Sequence, residues 1–569
     1  MKLLNLHINQ QFRSLPAGFK IEFRKPEDLE TNLHEPICLV GVNGSGKSNV
    51  LEAIAEIFYS LDQYIRNEEN YEIGKFSINS FILEYTIPFT WSLDYLNWDS
   101  GLNFDTKNIQ VRISKTENSA PEFEWINGEE IKPITESKEK ALPERIVGYS
   151  SGQNELLSIP FYKSRFSFYN SLLKEQKSIY QGSVKSSRLQ YIDYEENASI
   201  LLSNFLMSKD GEVEIIREKL FIDNISDFEI RINRNQKKRG VLKIGKEIEK
   251  LLSFLKLNAS SSTTIANDIE QLIFIVTPQL KKEFQDNFLD AVGLYNLFRQ
   301  ISYLNINSVK KTQIDSLLNS QQEIYVNYKI EDFIAEKKLF QISTLNIRKS
   351  DINYPVSYKN LSDGEHQFIH IVGTLMMMKE ENALFLFDEP ETHFNPKWKY
   401  EYTETFKKVT NEQKSQILLT THDPVLLSGL AKENVIVFNR PLEGFERTYK
   451  PDKDLRGMGV DAILTSEIFG LNSTLDTTTL NDIIERRKLL VKKEKQQLSE
   501  EDENQLNYLS KKLIDIDFNI PFADPLYKDF ILAFENLDIY KRTDLTKEEV
   551  KKREMIANEI MQKLKADGY

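Results

Sequence analysis

Apolar and polar positions along this chain repeat in two rhythms, and the change of rhythm separates strands from helices. "EPICLV" (Glu35–Val40) is a short continuous apolar run, the pattern of a strand buried on both faces. "SNVLEAIAEIFYSL" (Ser48–Leu61) then repeats its apolar residues at helical spacing. Two further apolar runs, Ala383–Phe387 and "QILLTT" (Gln416–Thr421), predict buried strands, and each ends abruptly in polar residues. "FEIRINRNQKKRGVLKI" (Phe228–Ile244) alternates, turns at a basic tip and alternates again, which predicts a hairpin. The stretch Ile265–Leu304 is amphipathic but irregular and rich in aromatics, and it predicts a compact helical lobe. Sustained heptads, the mark of a coiled coil, are not found. Near the end, "TLNDIIERRKLLVKKEKQQL", "SEEDENQLNYLSKKLIDI" and "LTKEEVKKREMIANEIMQKLKA" predict charged helices, with Ser499 and Thr546 as caps and Glu549 completing the second.

The chain has 569 residues, too many for one core, and two to four domains or lobes are expected. Hydrophobic residues at 40% and charged residues at 28% describe a globular protein, and no apolar run is long enough for a membrane helix. A formal charge of -13 argues against a surface that coats nucleic acid throughout, while leaving room for a local basic groove. The start lacks the pattern of a secretory signal. The single cysteine, Cys38, lies in an apolar run; it cannot form an internal disulfide and fits a cytoplasmic setting.

Chemistry concentrates where the strands end. "GVNGSGKS" places Gly41, Gly46, Lys47 and Ser48 at the fixed positions of a phosphate loop, between the predicted strand and helix that such a loop requires. Backbone N–H groups around Asn43, Gly44, Ser45, Gly46 and Asn49, with the helix dipole, would cradle phosphates. Lys47 would reach the terminal phosphates, and Ser48 would hold Mg²⁺. "NALFLFDEPETHFNP" (Asn382–Pro396) ends its strand in Asp388, a second ligand for Mg²⁺, and Glu389, which would polarise the attacking water. In "KNLSDGEHQF", Ser362 and Glu365 form a capping box around Gly364, so the helix start is a second anion site. His422 follows the fourth strand, where it could hydrogen-bond a γ-phosphate.

These segments together resemble the ABC-type ATPase head shared by SMC, RecF and OLD-like proteins, over roughly residues 1–60, 140–165 and 340–440. The resemblance implies an α/β fold, a mixed sheet flanked by helices, with a large mostly helical insertion and a helical C-terminal region. It makes "LSDGE" the signature motif, acting on a partner's nucleotide through Ser362, Gly364 and Glu365, and His422 the switch histidine. Asn395 falls in the D-loop, Gln153 matches a Q-loop glutamine that also contacts the metal, and Arg13 in "QFRSL" lies in an N-terminal loop near the nucleotide. ATP and Mg²⁺ are the implied ligands, with Glu389, His422 and Lys47 catalytic. Because signature and phosphate loop meet across two heads, a homodimer sandwiching ATP is implied.

The remaining segments set the organisation. Four regions are expected: an N-terminal ATPase lobe to residue 165, the insertion at 166–340, a C-terminal ATPase lobe at 341–450 and a helical partner-binding region at 451–569. The basic tip at 231–239 (Arg231, Arg234, Lys237, Lys238, Arg239) fits DNA or RNA, or simply a solvated turn. His366 and His370 share a helix face with no further metal ligands at zinc spacing, so packing is the reading adopted. "IDID" (Ile514–Asp517) follows a lysine-rich helix rather than an apolar strand, which does not suit a TOPRIM nuclease. The "DLRGMGVDAILTSEIFGL" region with the helical tail resembles the ATPase subunit of Septu-type anti-phage systems, including those that accompany retrons. That implies a separately encoded nuclease effector, often of HNH type, bound through the C-terminal helices. A RecF-like repair ATPase and a slowly hydrolysing scaffold are the alternatives.

Overall fold

The computed structural model describes residues 1–25, 36–66, 76–88, 108–127, 130–151, 156–175, 187–193, 196–209, 211–233, 246–265, 269–303, 305, 338–378, 382–410, 415–439, 447–471, 473–494, 497–515 and 547–566. The chain forms an α/β fold of mixed sheets flanked by helices, and it divides into two compact units. The first takes in Met1–Leu39, Asn43–His422 and Phe438–Thr448.

The strands that carry the candidate site lie side by side. They are β3 (Ile37–Gly41), β8 (Arg145–Ser150), β9 (Leu189–Tyr191), β15 (Ala383–Asp388) and β16 (Gln416–Thr421), in the order β3-β16-β15-β8-β9. β15 runs parallel to both β16 and β8, and β8 runs parallel to β9. Register pairs Asp388 with Thr420 on one side and with Ser150 on the other, so three strands end level. β3 and β16 are buried at every position and β15 at all but its last, which is why their sequences are continuously apolar rather than alternating.

A second, antiparallel sheet is built from β1 (Lys2–Ile8), β2 (Phe19–Glu22), β4 (Phe81–Pro88), β5 (Asn108–Lys115), β6 (Glu122–Asn127) and β7 (Glu130–Pro133), in the order β2-β1-β4-β5-β6-β7. The helix Lys47–Arg66 is buried along most of its length, carboxylates included. Its acids are neutralised rather than excluded. Glu52 meets Arg13 at 3.0 Å, Glu56 meets Lys163 at 3.2 Å, and Asp62 meets Arg66 at 2.8 Å and Arg188 at 3.3 Å.

The insertion holds helices at Asn197–Met207, Glu214–Leu220, Lys246–Asn258, Pro278–Asn287 and Ala291–Tyr303. Beside them runs a third sheet: β10 (Ile222–Asn233), β11 (Ser261–Ile265), β12 (Ile269–Ile275), β13 (Phe340–Lys349) and β14 (Val356–Ser357), in the order β11-β12-β10-β13-β14. One expectation changes here. "IEQLIFI" is strand β12 rather than part of a helical run, because Leu272 and Phe274 alternate inward and Phe274 stacks on Phe228 of β10 at 4.4 Å. β10 pairs with β12 on one edge and with β13 on the other, and the rest of the predicted hairpin, residues 234–244, lies outside the described residues. Arg231 is ion-paired with Glu229 at 2.7 Å; Arg234, Lys237, Lys238 and Arg239 lie outside the described residues.

The second unit takes in Val40–Val42, Asp423–Val437 and Tyr449–Tyr569. Strand β17 (Val435–Phe438) is buried throughout. The predicted helices appear as Thr477–Glu494 and Glu500–Asp515, closed around Leu489, Leu506 and Leu509. Ser499 caps the second, accepting from the Asp502 amide at 3.1 Å. Ile514 and Asp515 end that helix, so half of "IDID" is helical; Ile516 and Asp517 lie outside the described residues, as does Thr546. Among the described residues, no helix is long and apolar enough to cross a membrane.

Candidate functional site

β3 delivers the chain into the glycine loop at the N-terminus of the helix Lys47–Arg66. Gly44 and Gly46 adopt φ of 77° and 107°, which let the loop curl. Gly46 is also held sterically, since a Cβ there would come within 3.0 Å of both Leu15 and Ser14. Asn49 reaches the same N-terminal loop, its Nδ2 donating to Ser14 Oγ at 2.7 Å. Ser45 is buried, and its hydroxyl has no protein partner among the described residues.

The loop and the end of β15 meet. Ser48 Oγ donates to Asp388 Oδ1 at 2.8 Å, although 340 positions separate them. The same carboxylate oxygen accepts from Thr420 Oγ1 at 2.6 Å. Burial pushes the Asp388 carboxyl above its ordinary range, opposed by these two hydroxyls. Lys47 is buried, which brings its ammonium down to about 8, while the negative charges of Glu389 and Asp388 pull the other way. A cation, a hydroxyl and a carboxylate thus share one site.

Glu389 follows in the left-handed region, φ 49°, an unusual conformation for a residue with a Cβ. Its amide donates to the carbonyl of Thr420 at 3.3 Å and to Thr420 Oγ1 at 3.1 Å. The turned backbone brings Glu389 Oε1 within 3.1 Å of His422 Nε2. That hydrogen bond, with partial burial opposing it, holds the Glu389 carboxyl below its ordinary range. The sequence marked both residues, but not the bond between them.

The segment predicted as the signature is a well-capped helix start. Ser362 Oγ accepts from the Glu365 amide, and Glu365 Oε2 accepts from the Ser362 amide at 2.8 Å. Lys349 Nζ donates to Glu365 Oε1 at 2.8 Å and holds the carboxylate ionised. Gly364 lies against the turn after β15: a Cβ there would be 2.7 Å from the carbonyl of His393. Asn395 caps the helix Pro396–Tyr400, accepting from the Trp398 amide at 2.9 Å. His366 and His370 pack inside, the first with Nδ1 3.0 Å from Asn197 Nδ2, the second with its ring 6.0 Å from that of Tyr149.

Arg13 sits on the flank of the glycine-loop helix, its guanidinium engaged by Glu52, whose carboxyl burial raises to about 6 against that pairing. Gln153 lies outside the described residues. Sequence reasoning missed Thr420, Thr421, Glu391 and Gln367. The doubled threonine in "LLTTHD" was the available signal, because two adjacent hydroxyls at a strand end address opposite faces.

Comparisons with known proteins add a family. A curated relative, "Septu protein PtuA" from Bacillus mycoides (strain KBAB4), is 27% identical over 213 residues, 36% of this chain and 27% of its own length. "Protein ea59" of Escherichia phage lambda is 24% identical over 170 residues, 30% of this chain and 32% of its own length. The chain therefore spans about a third or less of the length of these relatives. Among solved structures, the Smc head domain with an extended coiled coil from Pyrococcus furiosus aligns with 79% of this chain and 96% of its own, at 13% identity and a TM-score of 0.31. The family described as "AAA domain, putative AbiEii toxin, Type IV TA system" matches residues 37–428, from β3 through Asp388, Glu389 and His422. That match covers well over half of the sequence, and the chain belongs to this AAA-domain family.

Proposed function

We propose that this chain binds and hydrolyses ATP with Mg²⁺ at the group formed by Lys47, Ser48, Asp388, Glu389 and His422. The observation that carries the reading is the 2.8 Å contact between Ser48 Oγ and Asp388 Oδ1. These are two hard oxygen donors at one point, which suits a Mg²⁺ that keeps its other positions for water and phosphate oxygens. Bound there, the ion supplies charge stabilisation at the phosphates. Lys47 and the loop amides bind the triphosphate, and the orphaned Ser45 hydroxyl is available to a ligand. Glu389 orients a water for attack, and His422, bonded to Glu389, stands where the terminal phosphate is read.

Two heads closing on ATP through Ser362, Gly364 and Glu365 complete the reading, with Asn395 at the junction and Gln153 and Arg13 as accessory contacts. Similarity to the Septu protein and the AbiEii-type family supports a role in anti-phage defence, in which nucleotide state governs a separately encoded nuclease of HNH type. The test is turnover and assembly of purified protein. Wild type should release phosphate with Mg²⁺, and Lys47→Ala should lose binding. Glu389→Gln should lose turnover by a factor of about 100 or more and accumulate ATP-bound dimers by light scattering. Normal turnover in Glu389→Gln would falsify the catalytic assignment.

A further inference from the structure

Glu389 stands on a turn, residues 389–393, and that turn is fixed from beneath by a buried acid. Glu391 is 3% exposed and accepts a hydrogen bond from Thr421 Oγ1. Thr421 immediately precedes His422, and its neighbour Thr420 holds both the Asp388 carboxylate and the Glu389 amide. The two threonines thus clamp both ends of the Asp388–Glu391 segment, one from each face of β16. Three other side chains feel the charge of the same carboxylate. Burial, and then the negative charge of Glu391, raise the Cys38 thiol and the Tyr402 phenol above their ordinary ranges. Burial also raises the Tyr149 phenol to about 12, with Glu391 adding to it against a hydrogen bond from Gln367. Gln367, on the signature helix, donates to Tyr149 Oη at 3.1 Å and accepts from the His393 amide at 2.9 Å. The turn is closed by Thr392, which donates to the Glu389 carbonyl at 2.9 Å.

A residue held at φ 49° keeps that conformation only when its surroundings over-determine it. Its own carboxylate is committed to His422, while the turn around it is tied to β16 through Thr420 and Thr421. The restraint comes from below. We propose that Glu391 is a positioning residue which, through Thr421, sets the geometry of Glu389 and His422 for hydrolysis. It rests on the hydrolytic reading above. Glu391 is buried beneath the turn, and it acts by aligning Glu389 and His422.

The experiment compares Thr421→Val, which removes the donor at constant volume, with Thr421→Ser, which keeps it. ATP turnover and binding of a fluorescent ATP analogue with Mg²⁺ are measured on the full chain. Thr421→Val should lower kcat about ten- to hundredfold, the scale of a small misplacement of reacting groups, with the dissociation constant within about twofold. Thr421→Ser should restore most of kcat. Glu391→Gln, which keeps an acceptor oxygen, should stay nearer to wild type than Glu391→Leu. If Thr421→Val fails to fold, Thr421→Ala provides the same comparison. The proposal is overturned if Thr421→Val keeps wild-type kcat, or if Thr421→Ser is as impaired as Thr421→Val, since packing alone would then explain the loss. Wild-type turnover lost in Glu389→Gln yet intact in Thr421→Val removes the positioning role alone. A wild-type chain without turnover removes the hydrolytic reading as well.

Discussion

At the scale of the residue, Lys47 is the charge whose state matters most. Burial brings it to about 8, and its two carboxylate neighbours only partly offset this. On the function proposed above, anionic phosphates would stabilise the protonated form, so nucleotide binding at alkaline pH would take up a proton. Affinity should be flat below about pH 8 and weaken above it, approaching tenfold per pH unit where the free amine is neutral. Titration of ATP binding between pH 7 and 10 checks this, and Lys47→Arg, which stays charged throughout, should flatten the profile. A pH-independent affinity in the wild type would show that Lys47 does not meet the phosphates.

Elements decide how finely the site is held. The signature helix starts with a reciprocal cap whose glutamate is also tied to Lys349. Ser362→Ala should therefore cost about 1 kcal/mol of stability, read as a fall in denaturation midpoint. Gly364→Ala is a sharper probe, because the new methyl meets a backbone carbonyl at 2.7 Å and no rotamer can avoid it. The helix start must then move away from the His393 turn, at a cost of about 1–3 kcal/mol. A Gly364→Ala protein as stable as wild type would mean that this contact is loose. At this scale the sequence was a good guide for the cap, which is local. It was a poor one for "IEQLIFI", which reads as amphipathic helix until β10 supplies a partner strand.

The whole molecule adds buried charges outside the candidate site. Glu196 begins the helix Asn197–Met207, which packs beside the signature helix. Burial first, then the like charge of Asp193, raise its carboxyl to about 7, although Arg299 and Arg165 favour ionisation and Tyr295 donates to it. The unfolded value is 4.5, so between pH 4.5 and 7 the folded state holds the extra proton. The group stabilises fully at pH values below 4.5, and that contribution is lost as pH rises through about 7. Glu196→Gln should remove this component: its midpoint should fall less than the wild type's as pH rises from 5 to 8. Chemical denaturation across that range is the check, and an equal fall in both proteins would exclude Glu196 as its source.

The sequence by itself determined the strand–loop–helix start at Gly41–Ser48, the paired acids at the end of β15, the capping box and the histidine after β16. Each is a short stretch whose chemistry depends on neighbours a few residues away, so local pattern is enough to reveal it. Tertiary structure alone decided that Ser48 touches Asp388, that Glu389 turns back onto His422, and that Glu391 lies under both. Those contacts depend on strand order and on level strand ends. Such features arise from hydrogen bonding between segments 30 to 340 residues apart, for which a linear pattern holds no record.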